Sequence, residues 1–241
     1  MNIGYSKYQF VVSNLDNNEV LAVLPSRDKK QVEKFLADNF SNIEIYSQDL
    51  WRPYKSAVLK TFSDAKVVAD RFHVVRQFIW AFSRERIKIQ KETGKKTGKN
   101  WRLLTKAKDK LDEKGIGKLE SILEKNPTLK IAYTIKEKAI KSLRKNNANY
   151  IEDIENLGKY IKKYEKMFPE FKKAYKTLMN WKDEIYNMFT HDCSNGSQER
   201  INRSIKQYKN IAFGFANLQR ASKLIYYRLN SYDFTYPTSI L

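Results

Sequence analysis

Apolar periodicity changes once along this chain, and that change limits what it can fold into. Through residue 70, short runs of strand character alternate with amphipathic helical stretches, whereas from Val74 to about Leu178 only helical spacing remains. Tyr8 to Ser13 and Glu19 to Leu24, rich in Val, Tyr and Phe, read as a hairpin turned by Asp16-Asn17-Asn18. Ser26-Arg27-Asp28 opens a helix with Val32, Phe35, Leu36 and Phe40 on one face. Ile43 to Ser47 reads as a short strand, Tyr54, Val58, Leu59 and Phe62 mark a second helix, and Lys66 to Ala69 reads as another strand. The order β-β-α-β-α-β predicts an α/β fold in which helices cover a mixed sheet.

The helical block is clearest at Trp101-Arg102-Leu103-Leu104, Leu119 to Leu123, Leu129 to Ile140 and Ile154 to Phe168. Gly94 to Asn100 and Asn146 to Asn149 read as connections, and Asn126-Pro127-Thr128 as a stop followed by a fresh helix start. Dense lysines along these helices read as solvated faces. The block therefore reads as an insertion that delays the last element of the α/β domain. The expected organisation is 1–78 for the first part of that domain, 79–190 for the insertion, 191–230 for the closing helices and 231–241 for a tail.

Each of the two later strands ends in an aspartate: Asp49 follows Ile43 to Gln48, and Asp70 follows Val67-Val68-Ala69. Ligands gather at strand ends in open α/β sheets, which makes these acids site candidates. Capping is the competing role, because Asp49 precedes the helix containing Pro53 and Asp70 precedes the one containing His73. His73 alone reads more readily as a hydrogen-bonded structural histidine than as a base.

A third acid stands past the helical block. After Ser194-Asn195-Gly196-Ser197, apolar residues recur at Ile201, Ile205, Tyr208 and Ala212, the spacing of a helix with one buried stripe. Glu199, Asn202, Arg203, Lys206 and Asn210 share the opposite stripe. Glu199 is thus a lone carboxylate in the first turn of a basic face, a position where it could also simply complement the helix dipole.

Charge names the class of partner. Lys and Arg number 46 against 27 Asp and Glu, a formal net charge of +19, which favours a polyanion whose phosphates release counterions when neutralised. Hydrophobic residues at 41% are enough to bury a core, so the chain is no disordered basic tail. No apolar run is long enough to span a bilayer and no signal-peptide pattern stands at Met1, so a cytoplasmic soluble protein with no membrane partner is expected. Cys193 is the single cysteine, which excludes an internal disulfide and a cysteine-cluster zinc site; His73 and His191 are too few for a histidine-rich metal centre.

Taken together, three stretches resemble the ISL-three family of insertion-sequence transposases. They are Ser47-Gln48-Asp49-Leu50 with Tyr54, the run Asp64 to Val75 containing Asp70-Arg71-Phe72-His73, and Ser194-Asn195-Gly196 through Glu199, Asn202, Ile205-Lys206 and Phe213-Gly214-Phe215. Trp101 to Leu104, and Leu129 to Tyr133 with Lys136-Glu137, are similar to the family's helical region. The resemblance implies a ribonuclease-H-like mixed sheet of the DDE type, with a large all-helical insertion before the last catalytic helix. It implies Asp49 as the second catalytic acid and metal ligand and Glu199 as the third, with Asp70 and His73 beside the site. It implies Mg²⁺ in a two-metal site, with DNA, both transposon ends and target, as substrate, in a bacterial, nucleoid-associated protein; the oligomeric state is left open, with a homodimer one option. Two cations about 4 Å apart would neutralise the attacking and leaving oxygens of a phosphodiester, and Arg203, Lys206 and Lys209 would hold phosphates without reading sequence.

One part of the family pattern has no counterpart: the first acid, expected in an Asp-Glu pair on a strand upstream of the Tyr8 hairpin, where this chain begins at Met1-Asn2-Ile3-Gly4. Asn14 also stands where the family carries an acid after the strand. The expectation is an N-terminally truncated catalytic domain, inactive alone unless the missing strand comes from elsewhere. A noncatalytic, basic DNA- or RNA-binding protein is the alternative, and a ribonuclease on the same fold a remoter one.

Overall fold

The computed structural model describes residues 10–17, 19–24, 27–94, 100–191, 196–211 and 218–230, without the side chains of 196–199, 208–211, 218, 219, 221, 222 and 230. The chain divides into two compact units, one drawn from residues 1–67 and 193–241, the other from 68–192. Most of the described chain is helical, with two small sheets.

In the first unit, β1 (Phe10–Ser13) and β2 (Val20–Leu24) pair antiparallel. Asn14 N donates to Glu19 O at 2.8 Å to close the hairpin, and the Asn14 side chain accepts from Asp16 N at 2.8 Å. Asn14 is therefore a turn-former, which accounts for an amide there. The register runs Phe10 to Leu24, Val11 to Val23 and Val12 to Ala22, then Ser13 to Val20, skipping Leu21. That bulge has a consequence for side-chain direction. Strict alternation would put Val20 on the face of Ala22 and Leu24, and the extra residue turns it to the face of Val23 instead. Val20 and Val23 then pack with Ile201, Ile205 and Ile225, while Phe10 on the other face joins Val32, Leu36, Ala57, Val58, Ala65 and Val67. Each large side chain so buried contributes about 1.5–3 kcal/mol.

Asp28 caps α1 (Lys29–Asn39), accepting from Lys30 N and Gln31 N at 3.0 and 3.3 Å. β3 (Ile45–Gln48), α2 (Arg52–Thr61) and β4 (Lys66–Ala69) follow, and β3 and β4 form the second sheet. Lys66 N, at the start of β4, donates to Glu44 O just before β3 at 2.8 Å; the two strand starts lie together, so the pair is parallel, as a helical crossover requires. One mixed sheet was the expectation, and the described strands instead form two separate pairs. The strands are four or five residues long and the bulge sharpens the hairpin's twist. Phe10 and Val67 share a core without their strands sharing hydrogen bonds.

The second unit is all helix past the end of β4. α3 (Arg71–Thr93) buries Val74, Phe78, Ala81, Phe82, Glu85 and Ile89 and packs on α4 (Trp101–Thr105), α6 (Pro127–Ser142), α8 (Pro169–Asn180) and α9 (Lys182–Thr190). α5 (Glu113–Glu124) and α7 (Tyr150–Lys163) complete it. Gly94 ends α3 in the left-handed region at φ 67°, and Asn146 turns the α6–α7 connection at φ 61°. The single stretch expected from Ile154 to Phe168 breaks after Lys163, and α8 starts afresh at Pro169. Pro169 pushes Phe168 out of helical geometry. The solvated-lysine expectation fails at Lys136, whose side chain is fully buried. α10 (Gly196–Ile211) and α11 (Leu218–Asn230) return the chain to the first unit. Among the described residues, no helix is long and apolar enough to cross a membrane.

Candidate catalytic acids and the Asp-Arg-Phe-His turn

Asp49 does not cap α2. The N-cap is Trp51, without a side-chain hydrogen bond, and Pro53 supplies the pre-set first turn. Asp49 is exposed directly after β3, and its backbone oxygen accepts from Trp51 N at 2.6 Å. The Tyr46 and Tyr54 hydroxyls feel its charge. Burial raises the Tyr46 hydroxyl's pKa well above the ordinary range, with Tyr54 and Asp49 adding to the rise. Burial also pushes Tyr54 up to about 12, Arg27 opposing and Asp49 reinforcing. Both phenols are therefore neutral at pH 7.

Asp70 does cap. It is the N-cap of α3, one oxygen accepting from Phe72 N at 3.2 Å and the other meeting His73 Nδ1 at 2.5 Å. His73 Nδ1 thus carries the proton toward Asp70, and Nε2 is the nitrogen able to serve as ligand or base. Asp70 is buried and the His73 side chain is 18% exposed, so the pair is shielded with one edge open to solvent. Arg71 does something its sequence context gave no sign of. Its guanidinium donates to Leu143 O at 2.7 Å and Met188 O at 2.8 Å, at the C-terminal ends of α6 and α9, and lies 4.8 Å from the Phe189 ring. Those are carbonyls that a helix end leaves without intrahelical partners, and a cation there also suits the helix dipole. Phe72, the third residue of the turn, faces solvent.

Glu199 is the fourth residue of α10, and its side chain and that of Lys209 lie outside the described residues. Ile201 and Ile205 are buried against β2, as the apolar stripe requires, and Arg203 and Lys206 are exposed on the other side. The structure therefore joins Asp70 to His73, sets Asp49 after the strand paired with β4, and leaves the Glu199 carboxylate undescribed.

Comparison with known proteins came out one-sided. No curated protein and no solved structure matches the chain. One family model, described as a transposase and built for the ISL-three type, matches residues 3–225, nearly the whole length. The chain belongs to the ISL-three transposase family.

Proposed function

We propose that this chain is the catalytic domain of a DDE-type transposase that cuts and joins DNA with Asp49 and Glu199 as its metal-binding carboxylates. Family membership gives the coarser part outright: a transposase moves an insertion sequence, its substrate is DNA, and the family uses a divalent cation. The observation that carries the finer part is that Asp49 stands exposed at the end of β3, the strand paired with β4, which itself ends at Asp70.

The donor set fits a hard cation. Carboxylates are the ligands Mg²⁺ takes, and the chain has too few Cys and His for a soft-metal centre. Asp49, Asp70 and His73 each offer one ligand atom. Asp70 already answers to Phe72 N and His73, which favours a positioning part for it. When bound, Mg²⁺ supplies charge neutralisation at the phosphodiester oxygens that gain charge during cleavage. The chain's own groups do the remainder. Tyr46 and Tyr54 stay protonated beside Asp49. Asp70 fixes the His73 tautomer, and Arg203 and Lys206 hold DNA phosphates. The helical unit 68–192 is read as the insertion between the second and third acids.

The test is Mg²⁺-dependent nicking and strand transfer, on DNA carrying the element's ends, by the full chain supplied with a strand that carries the first acid. Asp49→Asn and Glu199→Gln are expected to fall to background, and His73→Ala by about 10–100-fold as an outer-shell loss. Activity retained in both carboxylate variants would overturn the assignment. Salt-sensitive DNA binding without any cleavage would instead favour a noncatalytic binding protein.

A further inference from the structure

The outer face of α3 carries a feature that neither folding nor capping uses. Phe72, Arg76 and Trp80 recur every fourth residue and, at about 100° per residue, fall within an arc of about 80°. The buried stripe of α3, Val74, Phe78, Ala81 and Glu85, lies on the opposite side. Phe72 is 50% exposed and Trp80 44% exposed. Between them the Arg76 guanidinium lies 5.3 Å from the Phe72 ring centre and 4.5 Å from that of Trp80. Its Nε is buried, and no described residue accepts from it. His73 touches the strip: its ring meets Phe72 edge-on at 5.5 Å.

Phe72 and Trp80 leave about half of their surface to solvent, and the cation between them is a charge that an apolar partner surface would bury unpaired. Its chemistry suits a polyanion that also presents flat rings. Paired DNA shows proteins its phosphates and groove edges, and only unstacked bases offer faces to aromatic side chains. We propose that Phe72, Arg76 and Trp80 form a docking strip for unpaired bases of the DNA strand being processed, the two rings taking bases and Arg76 the phosphate between them. Eight residues of helix separate the rings by about 12 Å, so they engage separate bases of one strand. The strip starts within the Asp70–His73 turn. The inference rests on the transposase reading.

The test compares binding by the full chain, in EDTA so that no cleavage occurs, to a fully paired oligonucleotide and to the same duplex with a three-nucleotide unpaired end containing 2-aminopurine. The wild type is expected to prefer the unpaired end by about ten-fold and to quench its fluorescence. In Phe72→Ala/Trp80→Ala both effects vanish while paired-DNA affinity stays within about two-fold, and Trp80→Phe keeps most of the preference. Arg76→Gln weakens the unpaired end alone. Equal binding of both DNAs by the wild type, or an unchanged preference in the double variant, would overturn the strip. So would a wild-type dimer that becomes monomeric in the double variant with its DNA preference intact, since a second copy would then own the face. Nicking that survives without any preference defeats the strip alone; a wild type that binds neither DNA defeats the transposase reading with it.

Discussion

Lys136 shows how much one side chain is asked to carry. Its ammonium donates to Leu104 O at 2.9 Å and Lys106 O at 2.7 Å, pairs with Glu137 at 2.6 Å, and sits 4.0 Å from the Tyr133 ring centre. An ammonium has three donors, and all three are used, two of them closing the C-terminal end of α4. Burial nevertheless pushes its pKa down to about 8, against the pull of Glu137. Between pH 8 and 10.5 the unfolded chain therefore holds more protons at this site than the native one, so stability from this group rises with pH across that window. Lys136→Met should destabilise by about 2–4 kcal/mol at pH 7, since it strands two carbonyls and Glu137. In urea unfolding, the gap between the two proteins should widen by on the order of 1–3 kcal/mol from pH 7 to pH 10. A gap that shrinks would mean that pairing with Glu137 outweighs burial and holds the native amine's proton more tightly than the unfolded chain does.

At the scale of elements, α3 is held by its first residue as much as by its buried stripe. Arg71 is the fork that ties the start of α3 to the ends of α6 and α9. Arg71→Met should lose about 2–3 kcal/mol in thermal or urea unfolding and Arg71→Lys should recover little of it, because the two carbonyls are placed for the separate Nη1 and Nη2 of a planar fork, which an ammonium on a shorter stem does not reproduce. Full recovery by lysine would show that charge alone matters there. Arg71 also marks the limit of what the sequence discloses. β4 spans Lys66 to Ala69 as its short Val-rich run predicts, Asp28 caps α1, and Ile201 and Ile205 are buried as their spacing demands, because each depends on residues a few positions away. Arg71 answers to carbonyls 72 and 117 residues distant, and Lys136 to carbonyls 32 and 30 residues back, for which no local pattern exists. The single mixed sheet failed the same way: the hairpin of β1 and β2 is local and was legible, whereas the absence, among the described residues, of hydrogen bonds joining it to the β3–β4 pair was not. Capping was a competing role for both aspartates, and only the structure separates them, giving Asp70 the N-cap of α3 and Trp51 that of α2.

At the scale of the whole molecule, the first unit is discontinuous in sequence: it uses residues up to 67 and resumes at 193. The bulge at Leu21 commits Val20 and Val23 to a cluster whose other members, Ile201, Ile205 and Ile225, arrive only with α10 and α11. A chain ending at Asp192 should therefore keep a cooperative helical transition yet expose that face of β2, binding a hydrophobic dye and aggregating; a soluble, dye-silent fragment would contradict the assignment of that core. The same arrangement sets a waiting time on the ribosome. About 125 residues separate the two parts of the core, and at about 5–20 residues per second the hairpin stands half-covered for on the order of 6–25 s in every round of synthesis. During that interval Val20 and Val23 are bait for chaperones and proteases, so the amount of this transposase in a cell is set partly by how fast its own middle is made.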